Sequence, residues 1–154
     1  MKKLIYLFVA LCAFTAASAQ KISDKDLQGN WKLTSVNMSG ITIDLVTGAV
    51  VIPEEQKAQL TPDVAAQLDA GMKQAAEQLK NSSASFTGNT VKQNMAGKEK
   101  TGTYTLKEEG TNQIMSATWS DASTSDTTVW IKEKKLHISK SGQGQTLELV
   151  FVKA

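Results

Sequence analysis

The chain has 154 residues, 17 lysines and arginines against 15 acidic residues, one histidine and one cysteine. All of its cations of the first kind are lysine, and the formal charge of +2 is matched by Lys2 and Lys3. The remainder is near neutral and arginine-free, which argues against nucleic-acid binding, where a basic face rich in arginine is the rule.

The first segment reads as an export signal. Lys2 and Lys3 precede an apolar run from Leu4 to Phe14, and Ala17-Ser18-Ala19 offers the small residues that signal peptidase reads. The run is shorter than the roughly 20 residues a spanning helix needs. Residues 1–19 are therefore expected to be a signal peptide, with a mature domain from Gln20 to Ala154, exported to the periplasm or secreted, without a transmembrane segment. Cys12 follows Leu11 inside the apolar run, not a small residue at a cleavage point, so it is expected to leave with the signal. A mature chain of about 135 residues then has no disulfide, no thiolate ligand and no cysteine nucleophile, and it is long enough to bury its own core.

Trp31 and Leu33 alternate with Lys32 and Thr34, which predicts a first strand after the polar stretch Lys21–Gln28. Ile41, Ile43 and Leu45 alternate again, and Thr47-Gly48 predicts a turn before Ala49–Ile52. The period then changes. A helical insertion is expected over about 53–80, its main helix opened by Thr61 as N-cap and Pro62 at the first helical position. Val64, Leu68, Met72, Ala75 and Leu79 form its apolar stripe. Eighteen residues would span about 27 Å, enough to cross one end or face of a barrel.

From Ser83 the chain predicts seven short strands. They are separated by Gly88-Asn89, Ala96-Gly97-Lys98, Glu108-Glu109-Gly110, Ser120–Asp126, Glu133-Lys134 and Ser141–Gly144. A two-residue turn at Glu133-Lys134 sets Ile131 against Leu136 and Val129 against Ile138. A four-residue loop at Ser141–Gly144 would set Ile138 against Leu147 and Leu136 against Leu149. A turn at Gly88-Asn89 sets Phe86 against Val91, and one at Gly97-Lys98 would set Val91 against Tyr104. Met115, Ala117 and Trp119 are assigned inward, because that face of residues 112–119 carries more apolar area. All these residues then share one side, as a closed meander requires. Trp130 falls on the outer face, where the helix carrying Val64, Leu68 and Met72 is expected to cover it.

Chemistry-bearing residues are sparse. His137 has no second histidine or cysteine to complete a metal site, and no serine stands in a Gly-x-Ser-x-Gly elbow. Asp121 and Asp126 bracket a serine- and threonine-rich loop without calcium-loop spacing. Glu54-Glu55 suits a helix first turn, and Lys132, Lys134 and Lys135 a solvated hairpin tip. No cofactor and no enzymatic role are expected.

Leu27-Gln28-Gly29-Asn30-Trp31-Lys32-Leu33 carries the most specific cue. A Gly-x-Trp at the start of the first strand resembles the lipocalins, and the whole mature chain looks like the small lipocalin-like domains of secreted bacterial proteins. The resemblance implies a mainly β fold: an antiparallel eight-strand meander barrel with the helical insertion after the first strands. It also implies that Trp31 closes the barrel floor. Lipocalins pack a last-strand arginine across that tryptophan; here Lys153 is the residue placed to cover it with its stem. The Thr-Asp-Tyr motif of the family is echoed only by Ser125-Asp126-Thr127, and the helix precedes most strands instead of following them.

The function expected on these grounds is an exported, non-enzymatic module binding a small apolar or amphipathic ligand. Tyr104, Met115, Trp119, Val129 and Ile131 are its expected wall. The alternative is an envelope or secreted protein-interaction domain with a filled core. A hydrolase on the same kind of barrel ranks last, having no motif behind it.

Overall fold

The structure, a computed structural model, describes residues 21–154; the signal-peptide reading lies outside the described residues. A four-residue helix, α1 (Asp24–Leu27), leads into β1 (Gly29–Met38). The excursion that follows holds β2 (Ile41–Asp44), β3 (Val50–Val51), α2 (Glu54–Lys57) and α3 (Pro62–Leu79). Then come β4 (Ser83–Thr87), β5 (Thr90–Met95), β6 (Lys98–Glu109) and β7 (Asn112–Trp119). The chain ends with β8 (Thr124–Lys132), β9 (Lys135–Gly142) and β10 (Gln145–Lys153). Strands β4 to β10 pair in sequence order, β4 pairs with β1, and β1 closes on β10. The result is an eight-strand, all-antiparallel meander barrel, with α3 following the early strands.

Strand β1 serves two neighbours on one edge. Gly29–Lys32 pairs with β4, whereas Ser35–Met38 pairs with β2. The switch occurs where the β1–β10 register slips between Leu33 and Ser35, a bulge of the kind that bends a strand and raises its twist. Across it, the Leu33 N–H still donates to Ser82 O at 3.0 Å, while the Leu45 N–H donates to Thr34 O at 2.9 Å. This branching carries the insertion to the β1 side of the barrel's upper end. There α3 packs on β2 and β3, with Ala76 buried and Met72 and Leu79 against the core.

The predicted stripe is thus only half used. Val64 is 48% exposed, and the C-terminal turns of α3 do the packing. The expected cover over Trp130 is corrected as well: Trp130 stacks on His137, with ring centroids 5.0 Å apart. A helix tethered beside β2 and β3 sets its C-terminal apolar turns against the core and not onto the outer wall of β8 and β9.

Sheet register follows short turns. Ser39-Gly40, Ala96-Gly97, Glu133-Lys134 and Gln143-Gly144 each place two successive residues at positive φ, the conformation of a type I′ hairpin turn. Phe86 meets Val91, Val129 meets Ile138 and Ile131 meets Leu136, as the alternation predicts. Two turns differ from expectation. The turn at Ala96-Gly97 sets Val91 against Gly102 instead of Tyr104. The turn at Gln143-Gly144 sets Ile138 against Leu149 and Leu136 against Phe151, with Leu147 against Lys140. Each shift is two residues, so every side chain keeps its predicted face. Phe86, Val91, Tyr104, Met115, Ala117, Val129, Leu136 and Phe151 all fall in one buried core.

Candidate functional site

The barrel has a sealed end and an open one. At the sealed end Trp31 is buried, and its Nε1–H donates to Leu27 O at 2.7 Å. This bond ties α1 across the floor. Lys153 pairs with Trp31 across β1 and β10 and holds its ammonium 5.2 Å from the indole centroid, a cation–π arrangement. Gly29, at φ +110°, makes room: a Cβ there would stand 3.3 Å from Lys153 Cε. Ile22 is clamped on both sides, its N–H donating to Gln113 Oε1 at 2.7 Å and its carbonyl accepting from Gln113 Nε2 at 2.6 Å.

Tyr104 belongs to this sealed end. It is buried edge-on to Phe86, its hydroxyl donates to Gly88 O at 3.0 Å, and the same hydroxyl accepts from Gln28 Nε2 at 3.2 Å. Burial first, then the nearby Asp24 carboxylate, pushes the phenol above its ordinary value, which keeps the proton that makes it a donor.

The open end holds a cavity of about 170 Å³. Its apolar wall comes from Phe86 on β4, Val91 on β5, Met115 and Trp119 on β7, Ile138 on β9, and Leu147 and Leu149 on β10. Gln93, Ser125, Thr127 and Lys140 supply the polar groups. Each is placed by strand alternation: Thr127 lies two residues before Val129, and Lys140 two after Ile138. Trp119 Nε1–H donates to Ser125 Oγ at 3.0 Å, which fixes the indole along the wall. Opposite Trp119 stands Gly102, where an added Cβ would lie 2.4 Å from Thr118 O. Only glycine permits the two backbones this approach.

Of the five expected wall residues, Met115 and Trp119 line this cavity. Val129 is buried in the packed interior, Ile131 packs against the core near the sealed end, and Tyr104 lies in the floor. Phe86, Val91, Ile138, Leu147 and Leu149 were assigned inward but not to the wall, and the polar residues Gln93, Ser125, Thr127 and Lys140 were passed over. The inward register of these four was implied by the same alternation that placed Val129 and Ile138, but a polar side chain at an inward position carries no apolar signal.

His137 lies on the outer wall, where its Nδ1 meets Glu148 Oε1 at 2.7 Å. Among the described residues, no group of three or more histidine, cysteine or acidic side chains gathers in a metal-ligating cluster. No helix among them is long and apolar enough to cross a membrane. The Asp121 carboxylate accepts from Lys100 Nζ at 2.7 Å and from the Ser123 hydroxyl and N–H. The Lys100 bond, then those of Ser123, hold its pKa well below the ordinary carboxylate range. This ion pair ties the start of β6 to the turn after β7.

Comparison with protein-family models, with curated proteins and with solved structures finds no match to this chain.

Proposed function

We infer that this protein is an exported lipocalin-like binding module for one small apolar or amphipathic molecule, held at the open end of the barrel, with no catalytic role. The observation that carries this reading is the cavity of about 170 Å³ walled by Met115, Trp119, Ile138 and Leu149. The comparison that sets its scale is an engineered apolar cavity of roughly 150 Å³, which binds benzene. Pockets for drug-sized ligands run from about 300 to 1,000 Å³. A single ring or a short alkyl chain is therefore the size class, and a haem or sterol is too large. Support for the lipocalin likeness comes from Gly29-Asn30-Trp31 at the strand start and from Lys153 over the Trp31 ring. Support for export comes from the composition of residues 1–19 alone.

Trp119 is the built-in reporter. Titration with benzene, indole and short-chain alcohols should shift or quench its emission, and Trp119→Phe should remove that response while leaving the fold intact by circular dichroism. Silence across such a panel, with no binding by calorimetry, would rule the small-ligand reading out.

A second reading is favoured by a different observation. Most of the barrel interior is filled, while Val46 is 72% exposed, Val51 60% and Val64 48%, all in the excursion between β1 and β4. A filled barrel that presents its insertion to an envelope or secreted protein partner would look the same. A stoichiometric protein recovered from periplasm or outer membrane, and lost on Val51→Ser/Val64→Ser, would favour that role.

A further inference from the structure

We propose that the cavity at the open end selects small amphipathic monoanions, with Lys140 as the residue that takes the ligand's anionic group; this rests on the ligand-binding reading above. Three observations lead to it. First, Lys140 is the one charged residue lining the cavity, and it pairs across β9 and β10 with Leu147 and follows inward-facing Ile138. Lys140 thus continues the inward register at the exposed rim of the cavity. Second, Lys140 forms no ion pair among the described residues, whereas Lys100 at the same end is held by Asp121 at 2.7 Å. No carboxylate lines the cavity beside Lys140.

Third, the barrel wall opens beside it. The β8–β9 ladder ends at Thr128 and Ser139, although β8 begins at Thr124 and β9 runs on to Gly142. Thr127 and Lys140 line both the inner cavity and a groove on the outer wall, so they stand at the gap between the two. A ligand's apolar body can lie against Trp119 and Met115 while its charged group stays at this hydrated gap, which avoids burying an unpaired charge. The outer groove carries charges of both signs, Lys107 among Glu108, Glu109 and Asp126, whereas on the cavity side Lys140 is the one charge a ligand meets. A charge-assisted contact of this kind is stronger than a neutral one.

Phenylacetate and phenylacetamide share a shape and differ in charge, so they isolate the role of Lys140. Binding to the purified protein is read by Trp119 emission and by calorimetry. Phenylacetate should bind on the order of tenfold more tightly than the amide, and the preference should shrink as ionic strength rises. Lys140→Met keeps the aliphatic stem and should abolish the preference while amide binding persists; Lys140→Arg should retain it. If both compounds bind the unaltered protein equally, or if Lys140→Met keeps the preference, the anion assignment falls and the cavity reading stands. If neither binds, both fall.

Discussion

At the level of single residues, two positions concentrate the constraints. Trp31 combines a full aromatic burial with one hydrogen bond to Leu27 O. Trp31→Phe should lower the unfolding free energy by about 1–3 kcal/mol, since it orphans a buried carbonyl and shrinks the ring. Trp31→Ala should cost about 3–5 kcal/mol. Denaturant midpoints of the two variants check both figures. Gly102 is constrained from the opposite direction. Its missing Cβ is what lets β6 approach Thr118 O, so Gly102→Ala should destabilise by about 1–3 kcal/mol through overpacking and displace the Trp119 emission maximum.

Asp26 shows how a small group sets pH behaviour. Its carboxylate accepts from both the Ser23 hydroxyl and the Ser23 N–H, at 2.7 and 2.8 Å, which lowers its pKa below the ordinary 3.8. A depressed folded-state pKa means that stability is present above pH 3.8 and is lost as the pH falls through the folded value. Asp26→Asn should therefore lower stability in the neutral region and flatten the acid limb of a pH–stability curve. The same sign holds for Asp121, whose Lys100 and Ser123 partners need the ionised form.

At the level of elements, the hairpin turns and the insertion behave differently. Glu133 and Lys134 adopt φ of 52° and 62° although neither is glycine. A left-handed conformation costs an ordinary residue roughly 1–2 kcal/mol, so Glu133→Asn with Lys134→Gly should raise stability by about that amount, measured by thermal melting. Along α3, Val64→Ser should change stability by less than about 0.5 kcal/mol, because that end faces water. Ala76→Asp should destabilise strongly, since it would put a carboxylate into the core beneath the helix. Helix start and end were legible, with Thr61-Pro62 at one boundary and the loss of period after Leu79 at the other. The packed face was not. A stripe records which residues prefer an apolar neighbour, and only the anchoring of α3 beside β2 determines which turns obtain one.

At the level of the whole molecule, closure of β10 on β1 is the decisive contact. It joins residues more than a hundred positions apart and brings Phe151, Lys153 and Trp31 together. Removal of residues 150–154 should abolish cooperative unfolding altogether, because it opens the barrel along β1 and uncovers the floor tryptophan; loss of a sigmoidal denaturation curve is the expected result.

Period-two alternation with short turns assigned one apolar side to the strands either side of residues 112–119, since each hairpin constrains the next locally; for 112–119 the turn left the face open and the apolar area of Met115, Ala117 and Trp119 chose it. Even the two misjudged turns left that side intact, because both errors were of two residues, and a glycine at the second turn position was the available signal for each. Alternation also contained the inward register of Thr127 and Lys140. What it lacked was any record of distance between strands that are not hydrogen-bonded. The cavity, the gap between β8 and β9, the branching of β1 at its bulge and the seating of α3 all depend on how the sheet curls shut. Curling is set by side-chain volumes summed around a ring, and no local window of the chain holds that sum.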